Sequence, residues 1–363
     1  MKKVISAFLA LLFCVSMAQA QLLIGGRASG MGGAGVAATN DISAAYYNPA
    51  ALMRSSVILT EVTVDLGAAY SDPTTLSSAL SNSNDPAKFM FDNYHNKLSF
   101  NGSLAGLVGI NLRKIGISVI PELTTTVNKP AESLGGTMEA AGHYDAVLTL
   151  GTTFKVPYLP AALDVGINLK SLNGINGSIT ATQSGANTFE ATGTQIYGTG
   201  SGTGFDIGVL TSFNVPYVSK VAVGAVMRNV AASYTLSNTS KTAYMNFLTQ
   251  TTTFGADTVS NQTVNLDSST AVGAYATIPG VGLGVAADIE MTKTDTNTHL
   301  GLEYPLFLGI LVLRVGVASG PNLSLTTAGA ELNLRLVKVG LVTIADAKNT
   351  GLTSTVADIT IGL

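Results

Sequence analysis

Thiols, tryptophan and charge are scarce in this chain, and each shortage closes off a class of function. The one cysteine, Cys14, lies in an apolar run near the N-terminus, and no tryptophan occurs. Residues 1–20 read as a signal peptide. Lys2 and Lys3 form a basic start, "VISAFLALLFCVSMA" an apolar stretch, and Ala18-Gln19-Ala20 a small-residue cleavage site. Phe13 directly before Cys14 argues against a lipoprotein site, which wants a small residue there. A chain cleaved after Ala20 keeps no thiol, which excludes disulfides, zinc–thiolate sites and cysteine nucleophiles. His95, His143 and His299 are isolated, with no zinc-spaced pair, and no G-x-S-x-G elbow occurs. No catalytic residue, metal ligand or cofactor is therefore expected, and the chain does not read as an enzyme.

Charge is equally thin. Charged residues make up 11% of the chain, against roughly 25% in soluble domains. Removing residues 1–20 takes away two lysines and no acid, so the formal charge goes from −3 to 17 − 22 = −5. With no basic tract, a nucleic-acid partner has no electrostatic footing. Long apolar runs are missing too. The most apolar stretch, "LFLGILVLRVGVA" (306–318), carries Arg314 and falls short of the roughly 20 residues a membrane helix needs. Yet mean hydropathy is +0.37. An exported chain this apolar without helical spans has one ready resolution, because only helices and closed barrels satisfy their backbone groups in a bilayer. The fold class expected is all-β: a transmembrane, antiparallel, up-and-down barrel in the outer membrane of a Gram-negative-type envelope.

What the chain does have is alternation of period two, nearly everywhere after residue 56. Val62, Val64, Leu66 and Tyr70 share one face, and Glu61, Thr63 and Asp65 the other. Leu163, Val165, Ile167 and Leu169 likewise oppose Asp164, Asn168 and Lys170. Strands are placed at 57–70, 97–112, 114–127, 141–155, 162–180, 203–215, 220–236, 267–278, 281–292, 297–305, 308–318, 323–335, 336–346 and 353–363. Fourteen is an even number, as a single-chain bacterial barrel requires. Longer polar connections (71–96, 128–140, 181–202, 237–266) alternate with tight turns (113–114, 156–161, 216–219, 279–280). Short periplasmic turns and longer outer loops have this asymmetry, which puts both termini in the periplasm. His95 and His143 then fall in or beside outer loops, where solvation is the default, and His299 on a lumen face.

A repeat supports the assignment. "TTFKVPYLPAALDVGINLK" (152–170) matches "TSFNVPYVSKVAVGAVMR" (211–228) at a period of about 59 residues, each copy a strand, a V-P-Y turn and a strand. Tyr158 and Tyr217 fall where interfacial aromatics belong. Asp288, Glu290, Glu303, Arg314, Glu331 and Lys338 all stand opposite the apolar faces of their strands. A basic residue facing lipid at mid-bilayer costs about 2–4 kcal/mol, so these six are expected in the lumen. They read either as a charge network that fills the interior or as groups that meet a cargo.

The segment "RASGMGGAGVAATNDISAAYYNPAAL" (27–52) contains Gly30-x-Gly32-x-x-Gly35, the spacing of a dinucleotide loop. That reading needs a buried strand before it and an acid about 20 residues on, and residues 47–60 contain no acid. The glycines fit better as close-packing and turn positions, with Pro49 forcing Asn48 into an extended conformation. The same segment resembles the N-terminal signature of the long-chain fatty-acid transporter-like (FadL-type) outer-membrane proteins, a superfamily that also includes PorV-like and TraF-like barrels. The residues that carry the likeness are Arg27, Ala28, Gly30, Met31, Gly32, Gly33, Ala34, Val36, Ala37, Asp41, Ala44, Asn48, Pro49 and Ala50. "GTGFDIGVLTSF" (202–213), "GVAADIE" (284–290) and "LRVGVASG" (313–320) resemble the family's strands in the family's order. A final strand ending on Leu363 is similar to barrel-assembly signals, which usually end on an aromatic residue.

The resemblance implies a 14-stranded barrel whose N-terminal segment folds inward as a hatch. The organisation is then a signal peptide at 1–20, a hatch at 21–56 and a barrel at 57–363. Arg27, Gly30, Met31, Gly32, Gly33, Ala34, Asp41, Asn48, Pro49 and Ala50 are the expected hatch residues. It also implies a kink in the third strand through which cargo leaves sideways. Pro121 sits mid-run in "KIGISVIPELTTTV" and reads either as that opening or as a strand end or bulge. The function implied is passive passage of hydrophobic, fatty-acid-like small molecules. The alternative is a non-transport barrel serving secretion, conjugation or the envelope. The partners expected are outer-membrane lipids, a hydrophobic small-molecule ligand and the barrel-assembly machinery, with the chain a monomer.

Overall fold

The computed structural model describes residues 22–55, 60–71, 92–155, 161–184, 189–216, 218–249, 251–348 and 353–362. The expected signal peptide, Tyr158, Tyr217 and Leu363 lie outside the described residues. Two short helices, α1 (Gly26–Gly30) and α2 (Ala44–Tyr47), and a 3-10 turn (Pro49–Arg54) precede the strands. The first seven strands are β1 (Glu61–Tyr70), β2 (Leu98–Asn111), β3 (Ile115–Lys129), β4 (Gly136–Lys155), β5 (Ala162–Gln183), β6 (Glu190–Val215) and β7 (Val218–Asn246). Two short ones follow, β8 (Thr251–Phe254) and β9 (Thr258–Asn265). The last seven are β10 (Ser269–Ile278), β11 (Leu283–Met291), β12 (Thr296–Leu306), β13 (Leu311–Ser319), β14 (Ser324–Asn333), β15 (Val337–Asp346) and β16 (Thr353–Gly362).

All sixteen belong to one antiparallel sheet. Strand β1 pairs with β2 on one side and β16 on the other, and β7 pairs with β10, so the sheet closes. Because β8 and β9 pair only with β7, fourteen strands form the ring. Closure leaves no edge to satisfy in lipid.

Burial is inverted relative to a soluble protein, and β1 shows why the barrel needs lipid. Leu66 is 51% exposed on the outer face while its neighbour Asp65 is 1% exposed on the inner one. The same alternation puts Val108, Ile117, Leu148, Leu169, Ile207 and Leu302 outside. Among the described residues no helix is long and apolar enough to cross a membrane; the strands carry the apolar surface instead.

Three segments read from sequence as outer loops are partly strand. Residues 136–140 belong to β4, 181–183 to β5, 190–202 to β6 and 237–246 to β7, giving lengths of 20, 22, 26 and 29 residues. A span needs only about 9–11 residues, so these strands run on beyond the apolar band. Their upper ends are rich in Gly, Ser, Thr and Asn, and the alternation that marks a span disappears. There positions of outward parity are buried in a separate core: Leu98, Phe100, Val127, Met138 and Ile179 pack with Phe247 and Leu134.

Pro121 lies in the middle of β3, so it is not a strand end. Toward β4 the ladder runs through it, with Pro121 opposite Tyr144. Toward β2 the ladder passes from Ala105–Glu122 to Val108–Val119 without pairing Ile120 or Pro121. The register on either side of the gap agrees, so no extra residue is inserted as in a bulge. The missing donor falls on the β2 side.

Candidate functional site: the segment inside the barrel

Residues 22–55 fold against the inward side chains of the ring. Met31, Ala34, Ala50 and Leu52 are fully buried, although the segment itself has little regular structure. Helix α1 is five residues long and α2 four, so intrinsic helicity contributes little. The segment is held by contacts with the wall.

The first contact is an ion chain. Arg27 leaves α1 toward β12, where its Nε donates to Glu303 Oε2 at 3.0 Å and its Nη2 to Glu303 Oε1. Its Nη1 donates to Asn40 Oδ1 at 2.9 Å, within the segment. The Tyr275 hydroxyl donates to Glu303 Oε1 at 2.6 Å, and the Tyr275 ring lies 5.1 Å from the Arg27 guanidinium carbon. Arg314 Nε donates to Glu303 Oε2 at 3.2 Å and Arg314 Nη1 to Glu331 Oε2 at 3.0 Å. Charges thus alternate along Arg27–Glu303–Arg314–Glu331. Burial works against the charge on Arg27, but the adjacent Glu303 carboxylate outweighs it, and the guanidinium is held more firmly protonated than in water.

The second contact is glycine against glycine. Gly32 has φ +69°, and a Cβ there would lie 2.7 Å from the Val317 backbone nitrogen. On the wall, a Cβ at Gly316 would lie 2.1 Å from Gly32 N, and one at Gly301 2.3 Å from Met31 Cβ. Only where at least one side carries no side chain can two backbones approach this closely. The corner is then pinned by side chains: Gly32 N donates to Thr327 Oγ1 at 3.0 Å, Thr327 Oγ1 donates to Gly30 O at 3.0 Å, and His299 Nδ1 donates to Gly32 O at 2.8 Å. Asp288 Oδ2 accepts from Val36 N at 2.8 Å.

The third contact is the Asn48-Pro49-Ala50 corner against β5, β6 and β7. Asn48 is extended (φ −164°, ψ 109°), as the following proline requires. Its Nδ2 donates to Val36 O at 3.0 Å and to Val209 O at 3.2 Å, and its Oδ1 accepts from Ala50 N at 3.1 Å. Wall glycines again make the space, since a Cβ at Gly208 would lie 1.9 Å from Asn48 Oδ1 and one at Gly166 2.3 Å from the Pro49 carbonyl carbon. Beside this corner Asn168 Nδ2 donates to Ala45 O at 2.7 Å and to Asp206 Oδ2 at 2.6 Å.

The expected hatch residues thus divide. Arg27, Gly30, Gly32 and Asn48 bond to the wall, Met31, Ala34, Pro49 and Ala50 are buried against it, and Gly33 (φ +87°) turns the chain beside His299. Asp41 instead closes a local turn, accepting from Ser43 N at 2.8 Å. The six lumen charges do not form one network. Glu303, Arg314 and Glu331 are chained together, Asp288 holds a segment amide, Glu290 pairs with Arg228 at 2.7 Å, and Lys338 lines a cavity with Asp65 and Asp358. That cavity, of about 270 Å³, lies at the end of the lumen where the strands are joined by short turns.

Other residues of the site were not singled out from sequence. Thr327, Asn168, Asp206 and Arg228 were available from their inward parity, whereas Arg54, which pairs with Asp164 at 3.6 Å, ends the 3-10 turn and has no strand parity to mark it. His143 corrects an expectation: it stands on β4 as the strand placement had it, but it is largely buried instead of solvated, with Nδ1 2.9 Å from Asp145 Oδ1. Lys170 joins the same patch, bonding Asp206 at 3.0 Å and Asn229 Oδ1 at 2.8 Å.

Closed ring, inverted burial and an internal N-terminal segment define an outer-membrane-type β-barrel. More narrowly, the fold is that of the FadL-type channels. It matches the CymD monoaromatic hydrocarbon channel at 12% identity and a TM-score of 0.61, covering 95% of this chain and 99% of that one. It matches the Pseudomonas putida toluene transporter TodX at 11% identity and 0.58, covering 93% and 96%. A Pseudomonas aeruginosa FadL homologue matches at 11% identity and 0.56, covering 93% and 98%. No protein-family model and no curated protein matches the chain.

Proposed function

We propose that the protein is an outer-membrane channel for hydrophobic small molecules, closed by residues 21–56 acting as a hatch. The observation that carries this reading is the attachment of the segment. Polar side chains hold it at a few points, through Glu303, Asp288, His299, Thr327 and Asn168, while glycine-lined backbone and apolar side chains such as Ala34, Ala50 and Leu52 make the other contacts. Such a seating can let go without rebuilding the barrel. Solved barrels of the same fold bear the names of hydrocarbon and toluene channels, which supports a hydrophobic cargo. Both termini face the periplasm in this reading, and the interrupted β2–β3 ladder at Pro121 is the sideways exit. The ion chain of Arg27, Glu303, Arg314 and Glu331 acts as the latch of the hatch and not as a cargo contact.

The test is deletion of residues 25–50 followed by single-channel recording. The expected outcome is an assembled barrel with a large rise in ion conductance. An assembled deletion barrel that conducts like the intact protein would sink the hatch. The polar, ion-paired lumen is what favours the second reading, a non-transport barrel held shut for structural reasons. That reading predicts unchanged conductance together with a stoichiometric protein partner on pull-down.

A further inference from the structure

Exposed charge on this barrel is divided between its two ends. The connections at the short-turn end, residues 112–114, 155–162, 214–220, 278–283, 306–311 and 333–338, contain no Asp or Glu. They carry six cations: Arg113, Lys114, Lys155, Lys220 and Arg335, each exposed, and Lys338, which lines the lumen cavity. None of the five exposed cations makes an ion pair among the described residues, whereas the cations deeper in the barrel, Arg27, Lys170, Arg228 and Arg314, are all paired. The acids near this end face inward: Glu61, Glu303 and Glu331 are buried, and Asp164 is held by Arg54. At the opposite end the balance reverses. Loops 71–97, 130–135, 184–189, 247–268, 292–295, 320–323 and 347–352 hold seven acids (Asp72, Asp85, Asp92, Glu132, Asp257, Asp267, Asp295) and four cations (Lys88, Lys97, Lys293, Lys348).

The cationic rim is also greasy. Turn residues in water are normally Gly, Pro, Asn, Asp or Ser, yet the β12–β13 turn reads Phe307-Leu308-Gly309-Ile310. Phe307 and Leu308 take left-handed backbone (φ 51° and 59°), a conformation that costs a non-glycine residue energy. The strain holds both side chains outward, Phe307 73% and Leu308 107% exposed. Leu334 and Leu336 flank Arg335 in the β14–β15 turn and are exposed as well. Unpaired cations beside apolar side chains are the pattern of a surface that meets anionic lipid, with long basic side chains reaching to headgroups and apolar ones entering the acyl region.

We propose that this rim is a binding belt for anionic phospholipid. Arg113, Lys114, Lys155, Lys220 and Arg335 hold headgroup phosphates of the adjoining leaflet, and Phe307 and Leu308 anchor the β12–β13 turn among the chains. The belt rests on the reading of this chain as a membrane-spanning barrel, and it needs neither permeation nor a particular direction of insertion.

The test uses the full mature barrel in nanodiscs of equal parts phosphatidylethanolamine and phosphatidylglycerol, with retained lipid identified by native mass spectrometry. The intact protein is expected to keep phosphatidylglycerol preferentially, each Lys or Arg changed to Ser lowering the preference by about fivefold. The fivefold serine variant should retain both lipids equally, while R113K/R335K keeps the preference. A heat-dependent gel shift reports folding, and if the full variant does not assemble, R113S/K114S and K155S/K220S read the same decrement separately. Equal retention by the intact protein overturns the proposal, as does a preference that survives loss of the cations. Displacement of phosphatidylglycerol by a stoichiometric acidic protein overturns it too, since the rim would then be a protein interface. Hatch deletion and lipid retention are independent readouts, so either reading can fail alone.

Discussion

Gly316 and Glu303 show how the inner wall holds its contents, one by absence of a side chain and one by charge. Gly316→Val raises local strand propensity, yet it drives a side chain into Gly32, whose nitrogen lies 2.1 Å from the position of the new Cβ. The barrel is expected to assemble with its N-terminal segment displaced, at a cost of about 1–3 kcal/mol for the overpacking. Limited proteolysis between residues 22 and 55 reads the displacement. Gly362→Val is the control, because nothing lies within 4 Å of a Cβ there. Glu303→Gln removes the carboxylate shared by Arg27 and Arg314. Breaking a buried pair from one side typically costs about 3–5 kcal/mol, so a loss of that order is expected in denaturant unfolding. The double variant R27M/E303Q should recover part of it, because no uncompensated guanidinium remains at that corner. Additive losses would show that the two residues are not coupled.

At the scale of the element, β3 carries the sharpest expectation. Pro121→Val supplies the missing N–H on the β2 side, where the ladder skips Ile120 and Pro121. Amide exchange at residues 106 and 107 should slow, and uptake of hydrophobic cargo should fall while small-ion conductance stays the same. Unaltered uptake in a variant with slowed exchange would remove the seam as an exit. The strands also show what the sequence made legible and what it did not. All fourteen barrel strands were readable because lipid on one face and polar lumen on the other impose a strict alternation, as in Val62 to Leu66. The upper half of β6, residues 190–202, was read as loop because its Gly, Thr and Ser lie beyond the lipid and carry no such signal. The inner segment was legible as a motif but not as geometry. Partners such as Thr327 and Asn168 lie hundreds of residues from, or on strands remote from, what they hold, and a single sequence gives inward parity but not which inward residues meet.

For the molecule as a whole, the height of the apolar band is the quantity that decides how much of the barrel is in the membrane. Strand β1 has 10 residues and β13 has 9, about the length of one span. Strands β5 to β7 are more than twice as long, so part of each must stand outside lipid. Leu169 and Tyr197 both face outward and are almost equally exposed, at 48% each. Tyr197 lies ten positions above Ile207 on β6, roughly 25 Å further along the normal at about 3.3 Å per residue and a tilt near 40°. Equal exposure therefore conceals different solvents. Leu169→Arg is expected to cost about 2–4 kcal/mol if it lies near the midplane, and Tyr197→Arg about 0–1 kcal/mol. Reversible unfolding of the two variants in bilayer vesicles measures the difference. Equal costs would mean that lipid reaches the upper ends of β5 to β7. The polar composition of those ends argues the other way, because Ser, Thr and Asn facing outward there would leave hydroxyl and amide groups unsatisfied in hydrocarbon.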